Sequence, residues 1–308
     1  MGAARNQGVY FIDGCLGRRH VVGIVAGLIQ HDDAVEFTRF YTYNHDTATW
    51  LHTNWEHAIV SVAYTRVGAD WTWHLLSKRG VLIQGTAAGV RTLTIPDAGT
   101  GPGRLGYVNQ VRIIDRDLYV CGFRRQVYRL EGASWVKLHQ GILADSAEHT
   151  FGFQSIDGTS ANDLYAVGFK GELFHYDGRA WQKIELPTAV DLNRVRCVAP
   201  NLIYACGDAG VVVHGDGTAW QVVSDPAMSR DLWGLEVVDG TVFLAALDGL
   251  YRLDGSRVVA IETGLQPPPT GYRLTAHDGL LWSVGHRDLA FFDGSKWERV
   301  ICPDNAVP

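Results

Sequence analysis

The chain has 308 residues with 27 Lys and Arg against 33 Asp and Glu, a net charge of −6, and 46% hydrophobic against 19% charged residues. That is an ordinary balance for a globular chain long enough to bury a sizeable core, and its acidity disfavours a nucleic-acid partner, whose footprint is strongly basic. The 35 Gly together with 10 Trp, 12 Tyr and 11 Phe favour β-structure punctuated by turns, and an odd five Cys with no C-x-x-C argue against a disulfide framework or a zinc knuckle.

The chain opens MGAARNQGVYFIDG. It has no long apolar stretch there, so no signal peptide is expected, and Asn6 breaks the myristoylation pattern. No apolar run reaches transmembrane length. A cytoplasmic setting without membrane contact is the expectation.

Two faint units come first. Asp46 to Trp50 reads DTATW, and Val81 to Ile95 reads VLIQGTAAGVRTLTI with a hairpin position at Ala88. Five clear units follow. Each has an aromatic in the middle of an apolar run: Tyr119, Tyr165, Tyr204, Phe243 and Trp282, spaced 46, 39, 39 and 39 apart. Three residues later comes a small residue: Gly122, Gly168, Gly207, Ala246 or Gly285. An acid–Gly pair then marks a tight hairpin, beginning at Glu131, Asp177, Asp216, Asp254 and Asp293. A Trp stands four residues after the acid at Trp135, Trp181, Trp220 and Trp297, and Val258 replaces it in the remaining copy.

Each copy holds four short apolar runs between turn residues, and none keeps a helical period. Seven hairpin marks spaced about 41 residues apart have the period of propeller blades. The expected fold is therefore all-β: one seven-bladed β-propeller of four-stranded antiparallel blades. The approximate blades are 8–53, 54–96, 106–139, 151–186, 193–224, 232–262 and 272–302. Gly8 to Ile12 supplies the first strand of blade one, with no strand exchange between the termini.

The pattern L-Y-A-V-G-x-x-G-x-L-x-x-Y-D-G-x-x-W, as it stands around Tyr165, resembles β-propeller repeats of bacterial proteins of unassigned function, from Tyr107 onward. Its D-G-x-x-W portion also resembles the Asp-box turn of sialidase-like propellers, although Asp and Trp are one residue closer here. That resemblance implies a structural turn and no sialidase chemistry.

The repeated letters read as packing code. Tyr165 and its equivalents are expected between neighbouring sheets, and Gly168 is expected to let the chain turn without Cβ conflict. Asp177 accepts hydrogen bonds from its own turn, Gly178 supplies the unusual φ, and Trp181 fills the gap between blades. Cys121 and Cys206 sit at matching positions and read as small core residues.

Function is expected where the copies differ, on loops held by a rigid scaffold. The long connections are those between blades: Pro96 to Gly106, His139 to Thr150, Pro187 to Asn193, Ser224 to Arg230 and Thr263 to Gly271. At the start of the innermost strands, Phe151, Trp233 and Tyr272 stand beside Arg194 and Arg273. These aromatics and cations suit a partner side chain or a small anionic group; the alternative is that the aromatics plug the channel. Between second and third strands, Lys78, Arg79, Arg124, Arg125, Lys170, His286 and Arg287 make several tips basic, while Asp208 and Asp248 make two acidic. The candidate binding set is Phe151, Trp233, Tyr272, Arg194, Arg273, Arg124, Arg125 and Lys170.

His31, Asp32, Asp33 and Glu36 in blade one are a weak metal signal, because contiguous side chains in one turn seldom converge on an ion. No metal and no cofactor is expected. Gly101 to Gly106 reads GPGRLG but lies between neither a strand nor a helix suited to a phosphate loop, and no other catalytic motif occurs. The expectation is a non-catalytic protein-binding propeller, in one concrete form an immunity-type protein that neutralises a bacterial toxin. The alternative is a lactonase-like or carbohydrate-active hydrolase with its site in the central channel. It would need converging carboxylates, and Glu56 and Glu236 are the acids that the inner strands offer.

Overall fold

A computed structural model describes residues 8–18, 20–30, 35–145, 151–223, 225 and 227–306. Its strands fall into seven antiparallel sheets of four, each sheet formed by consecutive strands. Blade 1 holds β1 (Val9–Arg18), β2 (Val21–Leu28), β3 (Thr38–Asn44) and β4 (Thr49–Trp55). Blade 2 holds β5 (Ile59–Val67), β6 (Asp70–Ser77), β7 (Val81–Thr86) and β8 (Gly89–Thr94). Blade 3 holds β9 (Val108–Ile114), β10 (Asp117–Gly122), β11 (Val127–Glu131) and β12 (Ser134–Lys137). Blade 4 holds β13 (Phe153–Ser160), β14 (Asp163–Gly168), β15 (Leu173–Tyr176) and β16 (Trp181–Ile184). Blade 5 holds β17 (Leu192–Ala199), β18 (Leu202–Gly207), β19 (Val212–Gly215) and β20 (Trp220–Val223). Blade 6 holds β21 (Leu232–Val238), β22 (Thr241–Ala246), β23 (Gly249–Asp254) and β24 (Arg257–Ala260). Blade 7 holds β25 (Arg273–His277), β26 (Leu280–Val284), β27 (Leu289–Phe292) and β28 (Trp297–Val300). The chain is thus the seven-bladed propeller that its repeats imply.

The first strand of each blade is innermost. An inner strand is a sheet edge, so some of its N–H groups lack a ladder partner. Side chains of the neighbouring inner strand supply the acceptors. Val62 N donates to Asp13 (3.0 Å), Val111 N to Ser61 (3.2 Å), Ile156 N to Gln110 (2.7 Å), Val195 N to Ser155 (3.2 Å) and Leu16 N to Thr275 (2.8 Å). The last of these joins blade 7 to blade 1 and closes the ring. The C-terminal segment adds a latch: Asn305 Oδ1 accepts from Val9 N at 2.8 Å, and Arg39 and Tyr41 both donate to Asp304.

The repeated aromatics fill the wedges between blades. Tyr165 on β14 is 1% exposed and packs with Val195 and Ile203 of the next blade, and Trp220 leans back on it with ring centroids 5.8 Å apart. Tyr119 and Trp181 share the wedge between blades 3 and 4, Phe243 and Trp297 that between 6 and 7, and Trp282 and Trp50 that between 7 and 1. Full burial of a side chain of this size contributes about 3 kcal/mol.

In three of the five clear hairpins the acid acts as the turn requires, while Glu131 and Asp254 instead meet Arg129 and Arg252 on their own strands. Asp177 Oδ1 accepts from the backbone N–H of Arg179 and Ala180, both at 2.9 Å, and Asp216 and Asp293 repeat the pattern. These donated bonds hold the Asp216 and Asp293 carboxyls down at about 2. Gly178 takes φ +88°, which favours glycine. Gly168 has a different cause from a turn. Its backbone is extended, and the Gly152 carbonyl oxygen lies 1.8 Å from where a Cβ would stand. The glycine is there for the close approach of the incoming chain.

Candidate functional site

The connections between blades and the tips between second and third strands share one face. Lys170 N in the β14–β15 tip donates to Asp191 Oδ1 at 2.8 Å, Ala209 N in the β18–β19 tip to Asp231 Oδ1 at 3.0 Å, and Arg124 N to the Phe151 carbonyl at 2.9 Å. Each bond ties a tip to the connection that follows its blade.

On that face the candidate residues fall into two groups. The first lies at the channel mouth over blades 5 to 7. The Arg273 guanidinium lies 4.4 Å from the Tyr272 ring centroid, and Trp233 lies 5.7 Å from the same ring. Arg273 Nη1 donates to the Trp233 carbonyl at 2.7 Å, while its Nε is buried without an acceptor among the described residues. Beneath them Arg194 is buried and reaches Asp13 across 3.3 Å. Burial, and then the Arg273 charge beside it, push the Arg194 guanidinium down to about 9 against the pull of Asp13. The two guanidiniums have Asp13 beneath them, and Asp208, held by Asn193 at 2.9 Å, lies toward blade 5 with Asp191 and Asp231 near it.

The second group lies over blades 3 and 4. Lys170 Nζ is 4.3 Å from the Phe151 ring centroid, and Arg125 is 5.6 Å from it. Arg125 also forks onto the buried Glu172, with Nε at 3.1 and 3.0 Å from its two oxygens. Arg124 Nε donates to the Ala144 carbonyl at 2.7 Å. Arg124 and Arg125 therefore anchor the connection after blade 3, and exposed Lys170 is the cation of this group turned to solvent. Phe151 precedes β13; the register position matching Asn109, Asn193 and Trp233 is occupied by Gln154. Asn109 and Asn193 clamp blades, donating to the Phe153 and Leu232 carbonyls at 2.9 and 3.1 Å.

Some other tip charges have local partners. Lys78 and Arg79 both meet Glu36, at 3.6 and 2.5 Å, and Asp248 meets Arg230 at 2.6 Å. His31, Asp32 and Asp33 lie outside the described residues. Among the described residues no three His, Cys, Asp or Glu side chains converge as metal ligands.

Deeper in the channel is a charged layer that the repeat letters did not reveal. Arg196 donates to Glu236 at 2.5 Å and lies 3.8 Å from Asp157, which also accepts from Arg112 at 3.0 Å. Burial works to lower the Arg196 guanidinium, but the Glu236 and Asp157 carboxylates outweigh it and hold it up. Glu56, by contrast, lies in the connection after β4 and off the inner strands. The signal for this layer was present: Arg112, Asp157, Arg196 and Glu236 occupy one register position of successive inner strands. A cavity of about 100 Å³ lies beside it, lined by Asp13, Arg112, Arg194 and Arg196 among others. Burial raises the thiols of Cys15 and Cys206 to about 12, so neither is a thiolate at neutral pH.

No protein-family model matches the chain. It is 31% identical over 269 residues to the immune protein Tsi7 of Pseudomonas aeruginosa, covering 84% of this chain and 87% of that protein. Among solved structures it resembles YCF48 bound to D1 peptide, with a TM-score of 0.66 at 12% identity over 96% of this chain and 93% of that one. It also resembles the WD40 β-propeller domain of Doa1, with a TM-score of 0.62 at 11% identity over 98% and 94%. These two likenesses are of fold.

Proposed function

The chain belongs to the family of the immune protein Tsi7, and from that premise we propose that it neutralises a protein toxin by binding it with the face that carries the inter-blade connections. The observation that carries this reading is the pairing of half-buried aromatics with cations there: Trp233 and Tyr272 with Arg273, and Phe151 with Lys170. Half-buried aromatics keep little side-chain entropy to lose, and cations beside them attract a carboxylate, so the face suits an acidic protein surface.

The hydrolase alternative needs carboxylates free to act in the channel. Asp13, Asp157 and Glu236 are instead each tied to an arginine. We place the encounter in the cytoplasm.

The test is binding and protection against a candidate toxin, with any protein encoded beside this gene as the first to be tried. Arg273→Glu and Lys170→Glu should each weaken the complex by tenfold or more, chiefly through slower association, and lower the protection of cells while leaving the melting temperature within a few degrees. Full protection by the double variant would overturn the choice of face. Absence of any complex with the wild-type chain would overturn the function.

A further inference from the structure

Five of the seven wedges between blades hold a Trp from the fourth strand of the following blade, and four of these Trp face a Tyr, Phe or Trp on the second strand of the preceding one; between blades 5 and 6 Val258 stands in place of the Trp. Tyr165 with Trp220 shows the arrangement. At the junction of blades 1 and 2 both positions are emptied. Gly23 holds the register position of Tyr165, and Val90, paired with Gly85, holds that of Trp220, which pairs with Gly215. Trp73 of β6 leans into the inner part of the space; a Cβ on Gly23 would stand 2.5 Å from its ring. The outer part stays open as a groove of about 380 Å³.

The groove is lined by Phe40, Trp55, Tyr64, Trp71 and Trp73, with Leu51 and Val90 at its mouth, 66% and 57% exposed. Its walls are long. The outer strands β4 and β8 run 7 and 6 residues, where those of the other five blades run 4. Exposed Arg18 also lines it, and among the described residues no carboxylate does. The Trp55 indole N–H is buried without an acceptor among the described residues. The groove thus offers apolar aromatic walls and a positive charge, with no acidic side chain among its described lining residues.

We propose that this groove is a docking pocket for an aromatic side chain of a partner protein, flanked in that partner by an acidic residue. The sister wedges give the size of the occupant, since in five of them the chain places its own indole there: Trp50, Trp135, Trp181, Trp220 and Trp297. Arg18 gives the charge. The walls are those of an inter-blade wedge, open at the side of the propeller, so this surface is separate from the connection-bearing face.

The test uses no toxin, so its outcome is independent of the reading above. Isotope-labelled chain is titrated with unlabelled acetyl-Gly-Trp-Glu-Gly-amide and with its Gln counterpart, following the indole N–H signals of Trp55, Trp71 and Trp73. Those signals should move with the acidic peptide, and the neutral one should bind about five-fold more weakly, the size of an exposed ion pair. Arg18→Gln should erase that difference. Val90→Trp restores the indole of the sister blades; it should abolish the shifts and raise the melting temperature. Leu51→Glu, at an exposed position that leaves folding untouched, should weaken the acidic peptide by a similar factor. Shifts that persist in both Val90→Trp and Leu51→Glu would overturn the site, as would no shift at millimolar peptide. Phenylacetate binding as tightly as the peptide would overturn the protein source in favour of a small-molecule pocket.

Discussion

The Gln84 amide nitrogen faces Nδ1 of His74 at 3.0 Å, both groups buried between the second and third strands of blade 2. The amide is oriented by Arg91, whose Nε donates to Gln84 Oε1 at 2.5 Å. Its NH2 is thereby turned to the ring, so Nδ1 must accept, and Nε2 carries the proton toward Thr65 Oγ1 at 2.8 Å. This arrangement admits only the neutral imidazole. Burial, and then the Arg91 charge, lower the His74 pKa from 6.5 to about 4.

A pH dependence follows from that shift. A histidine whose folded pKa is depressed contributes its full stability above the unfolded value near 6.5 and loses it as pH falls toward 4. Between pH 7.5 and 5 the unfolded chain gains a proton that the fold refuses, worth about 2 kcal/mol. Urea unfolding at the two pH values should show that loss in the wild type and a loss smaller by about that amount in His74→Gln. Equal pH dependence in both proteins would show that His74 is not the group responsible.

Trp181 is 8% exposed, and its Nε1 donates to the Leu138 carbonyl of the preceding blade at 2.8 Å. Trp181→Ala removes a wedge-filling ring together with that bond. The expected cost is about 3–5 kcal/mol, measured by chemical denaturation. Trp181→Phe retains most of the packing and should recover more than half of it. A Trp181→Ala protein with wild-type stability would contradict the packing role of the repeated Trp.

Seven units and four strands per unit were legible because Tyr165, Asp177 and Trp181 each do one local job that most of the clear copies repeat. A residue that packs against the next copy of itself is written periodically. The Arg194–Asp13 pair was not legible for the converse reason. Arg194 and Asp13 are 181 residues apart and meet across the ring, so neither strand announces its partner. The tips misled in a third way. Arg125 reads as a surface cation, but Glu172, one blade further on, turns it inward. Charge at a tip can be counted from sequence, whereas its neutralisation depends on which blade lies beside it. The emptied wedge between blades 1 and 2 hid for a related reason: Gly23 and Val90 carry none of the repeat's letters.

The β14–β15 and β18–β19 tips share a backbone trace, with Lys170 at φ 57° and Ala209 at φ 53°. Glycine relieves such a conformation. Ala209 brings no functional group to offset the strain, so Ala209→Gly should stabilise by about 0.5–1 kcal/mol even after the added freedom of the unfolded chain is deducted. Lys170→Gly should stabilise no less while removing the cation over Phe151, and so weaken partner binding. The two measurements, melting temperature and affinity, should move in opposite directions at residue 170 and only the first at residue 209. A destabilised Ala209→Gly would contradict the assigned backbone.

Arg196 and Glu236 test whether the channel layer serves stability or ring geometry. Both are buried, 2.5 Å apart, with Asp157 at 3.8 Å from the same guanidinium. Removing Glu236 leaves the buried Arg196 with one more distant carboxylate. Glu236→Leu should therefore cost about 3 kcal/mol or somewhat more. Replacing both partners, as in Arg196→Met with Glu236→Leu, removes the desolvation penalty along with the attraction, and should lie at least about 1 kcal/mol closer to wild type than the single variant. It also frees Asp157, but that carboxylate keeps Arg112 and the Cys197 N–H at 3.0 Å each, so it is not stranded. The double variant should thus fold, and denaturation with both singles completes a double-mutant cycle. Strict additivity of the two changes would mean that the pair is not coupled in the folded ring. Coupling with undiminished toxin protection would assign the layer to holding blades 4, 5 and 6 in register and not to contact with the partner.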